Sequence, residues 1–154
     1  MIQATLGIMI KDDKIFLGEK KRGFGKGVYN GIGGKQEADE TIDKCMIREA
    51  NEEIGINIDE KDLEKVSLLH FYFDANPEWN MDVHIYLIKK FVGEIIETDE
   101  IKPQWFDIDK IPYDNMWEDD TYWLPRVLNG ERNLEYNFYF DKENGKIRHH
   151  EYIS

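Results

Sequence analysis

The sequence predicts a single α+β domain, a mixed sheet carrying two helices. Three observations lead there. Short β-branched and aromatic runs alternate with turn signals, one segment has an apolar stripe at helical spacing, and 154 residues is ordinary for one domain and short for two. No repeat, low-complexity segment or linker divides the chain.

Ile2 to Ile10 reads as a strand, Lys11-Asp12-Asp13 as a turn, and Ile15 to Glu19 as a second strand. From Lys20 to Lys35, KKRGFGKGVYNGIGGK holds six glycines and five basic residues. It is too interrupted for a helix, and is expected to form a loop with one short strand whose backbone approaches a ligand closely. Thr41 to Ile54 is expected to be the first helix, with Met46, Ile47, Ala50 and Ile54 on one side. Gly55 stands where a left-handed C-terminal cap belongs.

Val66 to Phe73 and Met81 to Val92 read as paired strands joined across Asn76-Pro77. Gln104 to Ile108 is expected to be a short strand preceded by Pro103. Pro112 to Asp120 reads as an irregular acidic-aromatic loop, and Tyr122 to Asn129 as the second helix despite Pro125. Leu134 to Phe140 and Lys146 to Ile153 flank Asn144-Gly145, a hairpin signal.

Charge narrows the function. Asp and Glu number 32 against 20 Lys and Arg, a net −12. That excludes wrapping a nucleic-acid polymer, which relies on cations that neutralise many phosphates. It leaves room for a small phosphorylated ligand held through a metal. One cysteine, Cys45, cannot staple a fold, which points to a reducing, cytoplasmic setting. No basic region leads an apolar stretch at the N-terminus, and no apolar run suits a bilayer. A monomer is the default expectation.

The chemistry concentrates in GGKQEADETIDKCMIREANEEIGI. At 100° per residue, Glu49, Glu52 and Glu53 share a stripe about 100° wide, beside the apolar face. Like charges at that spacing repel, so the cluster calls for a counter-charge. Three carboxylates offer hard oxygens, which suit Mg²⁺ or Mn²⁺. Arg48, one turn before Glu52, is placed to orient a carboxylate. A bare E-x-x-E-E is more often a solvated face, and the glycine-rich loop before it shifts that balance.

Gly34, five residues, Glu40, seven residues, Arg48-Glu49, then Glu52-Glu53, Gly55 and Ile56 reproduce the Nudix box over residues 34–56. The chain therefore resembles the Nudix hydrolase superfamily. The resemblance implies a Nudix fold over 1–154, a mixed sheet sandwiched between helices (α/β/α). It also implies cation-dependent hydrolysis of nucleoside diphosphates linked to another group. Ala50 departs softly, standing where a larger aliphatic is usual.

Beyond the box, KKRGFGKGVYNGIGGK, MDVHIYL and ETDEIKPQWFDIDKIPYDNMWEDDTYWLP resemble one branch of that superfamily. Its members cleave oxidised purine nucleoside triphosphates such as 8-oxo-dGTP and 2-hydroxy-dATP to monophosphate and pyrophosphate. The likeness implies metal held by Glu49, Glu52, Glu53, Glu100 and the Gly33 carbonyl, with Arg48 supporting. It implies a substrate surrounded by Thr5, Lys20, Phe24, Asn30, Gly33, Gly34, Lys35, Phe71, Met81, Trp117, Asp119 and Asp120. Glu53, with Glu52 and Glu100 as rivals, would take the proton of the attacking water. Lys20, Lys21, Arg22 and Lys26 would form a positive rim. Trp117 is suited to stack on a purine, and Asn30 offers a donor and an acceptor. Burial of the adjacent Asp119 and Asp120 should push one carboxyl upward. Ile32, where the branch has an aromatic, and an insertion around Asp74 to Asn80 are expected to bear on base preference.

Plainer roles stand beside these. Asp119-Asp120 could cap a helix starting at Thr121. Cys45 is expected to pack, and His84, His149 and His150 to be structural. The calcium-loop likeness of Asp141 to Gly145 yields to the hairpin. Two other functions stay open: a Nudix hydrolase of other nucleotide-linked diphosphates, and a Nudix-fold sensor that binds without cleaving.

Overall fold

The computed structural model describes residues 1–141 and 146–154. Strand β1 (Ile2–Lys11) turns through Asp12 and Asp13, at φ 53° and 62°, into β2 (Lys14–Lys20). Two consecutive left-handed residues match the twist of a two-residue hairpin, and Asp tolerates that region better than most side chains. β3 (Tyr29–Asn30) is the short strand inside the glycine-rich loop. Then follow α1 (Ile42–Ile54), β4 (Leu63–Phe73), β5 (Met81–Ile88), β6 (Ile101–Asp107), α2 (Asp120–Leu128), β7 (Leu134–Phe140) and β8 (Ile147–Tyr152).

The strands run in the order β3-β2-β1-β5-β4-β7-β8, with β6 on the other edge of β2. β1·β5 and β4·β7 are parallel and the rest antiparallel, so the sheet is mixed as expected. Strand alternation sends side chains to two separate cores. Ile8, Ile15, Leu17, Leu69 and Ile85 pack with Trp123, Leu124 and Val127 of α2. Met9, Phe16, Tyr86 and Ile88 pack with Met46, Ala50 and Ile54 of α1. The sheet is thus sandwiched between the helices. Ala50 lies fully buried, where its small side chain lets α1 sit close to the sheet.

Several boundaries differ from the sequence reading. β5 ends at Ile88, and Val92 instead makes an isolated bridge to Asn57. β6 begins at Ile101 and contains Pro103, opposite Gly18; the missing N–H is tolerated because β6 is an edge strand. α2 begins at Asp120 rather than Tyr122, and carries Pro125 within it. β7 and β8 pair antiparallel, while the Asn144-Gly145 turn and the interior of the 141–145 loop lie outside the described residues. Among the described residues no helix is long and apolar enough to cross a membrane.

One feature of the fold sets up the site. Beyond its pairing with β2, β1 is flanked by the segment leading to α1, through Thr5 N–H to Gly34 C=O (2.9 Å) and Gly7 N–H to Ile32 C=O (2.6 Å). A Cβ at Gly33 would collide with the Thr5 carbonyl, so only glycine permits this approach.

Candidate active site

α1 is delimited as its sequence dictates. Thr41 caps its first turn, accepting from Lys44 N–H at 3.2 Å, and Gly55 at φ 78° closes it. Met46, Ala50 and Ile54 then face the sheet, which turns Glu49 and Glu53 along the margin of the core. Glu53 is 7% exposed and accepts from Gly33 N–H at 3.3 Å. Burial, followed by the charge of Glu49 and a smaller push from Glu100, raises its carboxyl to about 8. Glu49 sits so close to Gly34 that a Cβ there would fall 2.5 Å from its carboxyl.

Arg48 supplies the counter-charge. Its guanidinium donates twice to Glu40 (2.8 and 3.0 Å), and also to Glu49 (3.0 Å), Glu52 (3.1 Å) and the Lys35 carbonyl (3.1 Å). The bidentate bond from Arg48 holds the Glu40 carboxyl well below the usual carboxylate range. Glu40, noted in the sequence only as a motif position, is thus the main partner of Arg48. Glu100 arrives from the loop before β6, 3.6 Å from Arg22. Thr98 ties that loop to α1 by donating to the Glu53 carbonyl at 2.8 Å.

The carboxylates do not close into a cage as placed. Among the described residues no three His, Cys, Asp or Glu side chains form a group that could hold a metal ion. Arg48 draws Glu49 and Glu52 to itself, and Glu52 is turned outward. Of the four carboxylates expected to converge, Glu49, Glu53 and Glu100 line one cavity, and Glu52 does not line it. The donors remain chemically suited to a hard divalent cation. They are all oxygen, and the repulsion from Glu49 that adds to burial in raising Glu53 is what a cation relieves.

That cavity, of about 1040 Å³, unites most of the sequence-predicted residues. Thr5, Lys20, Phe24, Asn30, Gly33, Gly34, Lys35, Phe71, Met81, Trp117, Asp119 and Asp120 line it together with the three carboxylates; Arg48 stands behind. The Thr5 hydroxyl is engaged with the Gly34 carbonyl at 3.3 Å. The Asn30 side-chain oxygen accepts from Gly31 N–H at 2.9 Å, which leaves its NH₂ to donate. The expected positive rim is thinner than its sequence. Lys21 is paired with Glu97 at 2.7 Å, Arg22 lies by Glu100, and Lys26 does not line the cavity.

Asp119 and Asp120 are both buried, 4% and 2% exposed. Asp119 does not cap α2; its carboxylate accepts from the Trp123 indole N–H at 2.9 Å instead. Burial raises Asp119 to about 6, a rise tempered by that hydrogen bond. Burial, then the charge of Asp119, holds Asp120 well above the usual range, and its Oδ2 has no hydrogen-bond partner among the described residues. Ile32, expected to bear on the base, packs fully buried in the α1 core and does not line the cavity. Leu69, Phe73, Val83, Trp79 and Phe140 line it without having been singled out from the sequence. Period-two alternation from Phe71 points to Phe73; the others depend on strand pairing.

The sequence pattern of the NUDIX domain matches residues 1–127. The oxidized purine nucleoside triphosphate hydrolase of Danio rerio is 46% identical over 132 residues, 86% of this chain and 83% of that one. Its namesake from Mus musculus is 44% identical over 124 residues, 80% and 78% of the two chains. The crystal structure of the mutator MutT protein of Bacillus halodurans superposes with a TM-score of 0.85 at 23% identity, covering 99% of this chain and 97% of the other. The fold is shared along almost the whole length, and the match over residues 1–127 with these identities places the family: the chain belongs to the NUDIX domain family.

Proposed function

We propose that this chain hydrolyses oxidised purine nucleoside triphosphates, such as 8-oxo-dGTP or 2-hydroxy-dATP, to the monophosphate and pyrophosphate, and so cleanses the nucleotide pool. The observation that carries the reading is one cavity with two unlike ends. Two buried aspartates line one, and Glu49, Glu53 and Glu100 the other. Two relatives named oxidized purine nucleoside triphosphate hydrolase, at 46% and 44% identity, support it.

At the base end, Trp117 gives a stacking face, and the Asn30 NH₂ donates to a purine edge. Burial and the charge of Asp119 favour the protonated form of Asp120, which can donate, while Asp119, raised to about 6, is the one of the pair that accepts. A donor and an acceptor side by side can read a purine whose oxidation has rearranged its own. At the other end, hydrolases of this family use divalent cations. Mg²⁺, or Mn²⁺ in its place, would be held by Glu49, Glu53, Glu100 and the Gly33 carbonyl, with Glu52 reorienting from Arg48 to join them. When bound, the cation neutralises phosphate charge and polarises phosphorus. Arg48, anchored on Glu40, fixes Glu49 from behind. Glu53, held by Gly33 N–H, accepts the proton of the attacking water. Lys20 adds positive charge where the phosphates enter.

The test is pyrophosphate release from 8-oxo-dGTP, 2-hydroxy-dATP and dGTP with Mg²⁺. Faster turnover of the oxidised nucleotides is expected. Equal turnover of all three favours a broader Nudix hydrolase, and tight binding without turnover favours a sensor.

A further inference from the structure

The cavity wall contains a ring that joins two aromatic groups of different origin. On the loop side, Phe24 stacks on Trp117 (centroids 5.5 Å, 19° between planes). On the sheet side, Phe73 packs with Phe71 and Phe140. Trp79, from the short helical turn Pro77–Trp79 between β4 and β5, touches both groups, with centroids 6.2 Å from Phe24 and 6.3 Å from Phe73. Phe24 is 73% exposed, and Gly23 and Gly25 beside it both take positive φ, at 78° and 85°. A bulky apolar side chain between two such glycines, with little burial of its own, is held in place by its ring contacts. Trp79 provides one on a turn anchored to the sheet, where the Asn80 side chain accepts from Phe73 N–H at 2.8 Å. Trp79 is itself 46% exposed, so its ring is not spent on the core.

We propose that Trp79 is a positioning residue for substrate, a latch that holds Phe24 and its glycine-flanked loop against the base pocket. The role rests on the nucleotide reading above. With Phe24 held between Trp79 and Trp117, its loop shields the base from water. The ring contacts of Trp79 are with Phe24 and Phe73 and not with the α1 carboxylates, so its loss falls on KM rather than kcat.

The test uses Trp79→Ala, Trp79→Phe and Phe24→Ala in the full chain. In the free protein, with no nucleotide, amide hydrogen exchange over residues 21–27 is expected to speed up in Trp79→Ala and to return toward the parent rate in Trp79→Phe. Unchanged exchange overturns the latch, whatever the chain hydrolyses. With 8-oxo-dGTP, Trp79→Ala is expected to raise KM about three- to tenfold, the scale of one aromatic pair. The double variant with Phe24→Ala should be no worse than Phe24→Ala alone, because both act through one contact. Additive losses, or a fall in kcat at constant KM, overturn the proposal. If the parent chain hydrolyses no oxidised purine triphosphate, the functional reading fails by itself, and the exchange measurement still decides the latch.

Discussion

The two ends of the cavity both gather carboxylates, and they answer their charge by different means. At the α1 end Arg48 bonds Glu40, Glu49 and Glu52, while Glu53, buried beside them, is raised to about 8 by burial and the charge of Glu49. At the α2 end Trp123 donates one hydrogen bond to Asp119, and burial with the charge of Asp119 favours the protonated form of Asp120. The same functional group is thus set beside a guanidinium in one place and between an indole and a second carboxyl in the other, and environment alone makes the difference. One end is built for phosphate chemistry and the other for reading a base.

The largest effect that separates the ends is expected from Glu53→Gln, which keeps the shape and removes the base. Pyrophosphate release should fall about 10²- to 10⁴-fold. Calorimetric binding should keep its preference for the oxidised purine over dGTP; loss of that preference would merge the two ends. Arg48→Ala comes next. It strips Glu40 and Glu49 of charge-assisted bonds and should cost about 2–3 kcal/mol in urea unfolding, along with a raised requirement for Mg²⁺. Unchanged stability would mean that Arg48 is idle in the folded state.

The pH dependence of stability sharpens the α2 end. Asp119 and Asp120 are raised above their unfolded values, so the folded chain binds protons that the unfolded chain has released. Their contribution is fully present below pH ~4 and is lost as pH rises, through about 6 for Asp119 and above the ordinary carboxylate range for Asp120. Asp120→Asn should flatten the decline in the urea midpoint between pH 5 and pH 8. An unaltered slope would place the titration elsewhere. The smallest effect is expected from Thr41→Ala, which removes the cap of α1 and should cost about 1 kcal/mol while leaving base preference untouched. A shift in preference would show that the helix and the base pocket are coupled.

The same contrast explains how far the sequence could be read. The α1 end is local. Thr41, the 46/50/54 stripe, Gly55 and the Glu spacing lie within one helix and its flanks, so helical geometry placed Glu49 and Glu53 beside the apolar face. What escaped it was direction, since Arg48 lies close enough to bond Glu52 and turn it outward. The base end is assembled from β4, β5, β7, the glycine-rich loop and the start of α2. Trp79, Phe73 and Phe140 meet only through parallel pairing of β4 with β7 and the turn before β5, which no local pattern specifies. Asp119 and Asp120 stand out in the sequence as an adjacent pair, but their burial and the bond from Trp123 one turn ahead belong to the folded chain. Ile32, whose departure from the branch was expected to bear on base preference, has its side chain in the α1 core, a direction the loop's sequence does not specify.

The division between a cleaving end and a reading end is tested most directly by one ratio: kcat/KM for 8-oxo-dGTP over dGTP, in the parent chain and in Asp120→Ala, with saturating Mg²⁺. A ratio above one in the parent that falls about tenfold or more in the variant is expected, the scale of one buried hydrogen bond. A ratio that Asp120→Ala leaves unchanged would place base recognition away from the buried aspartates and overturn the division.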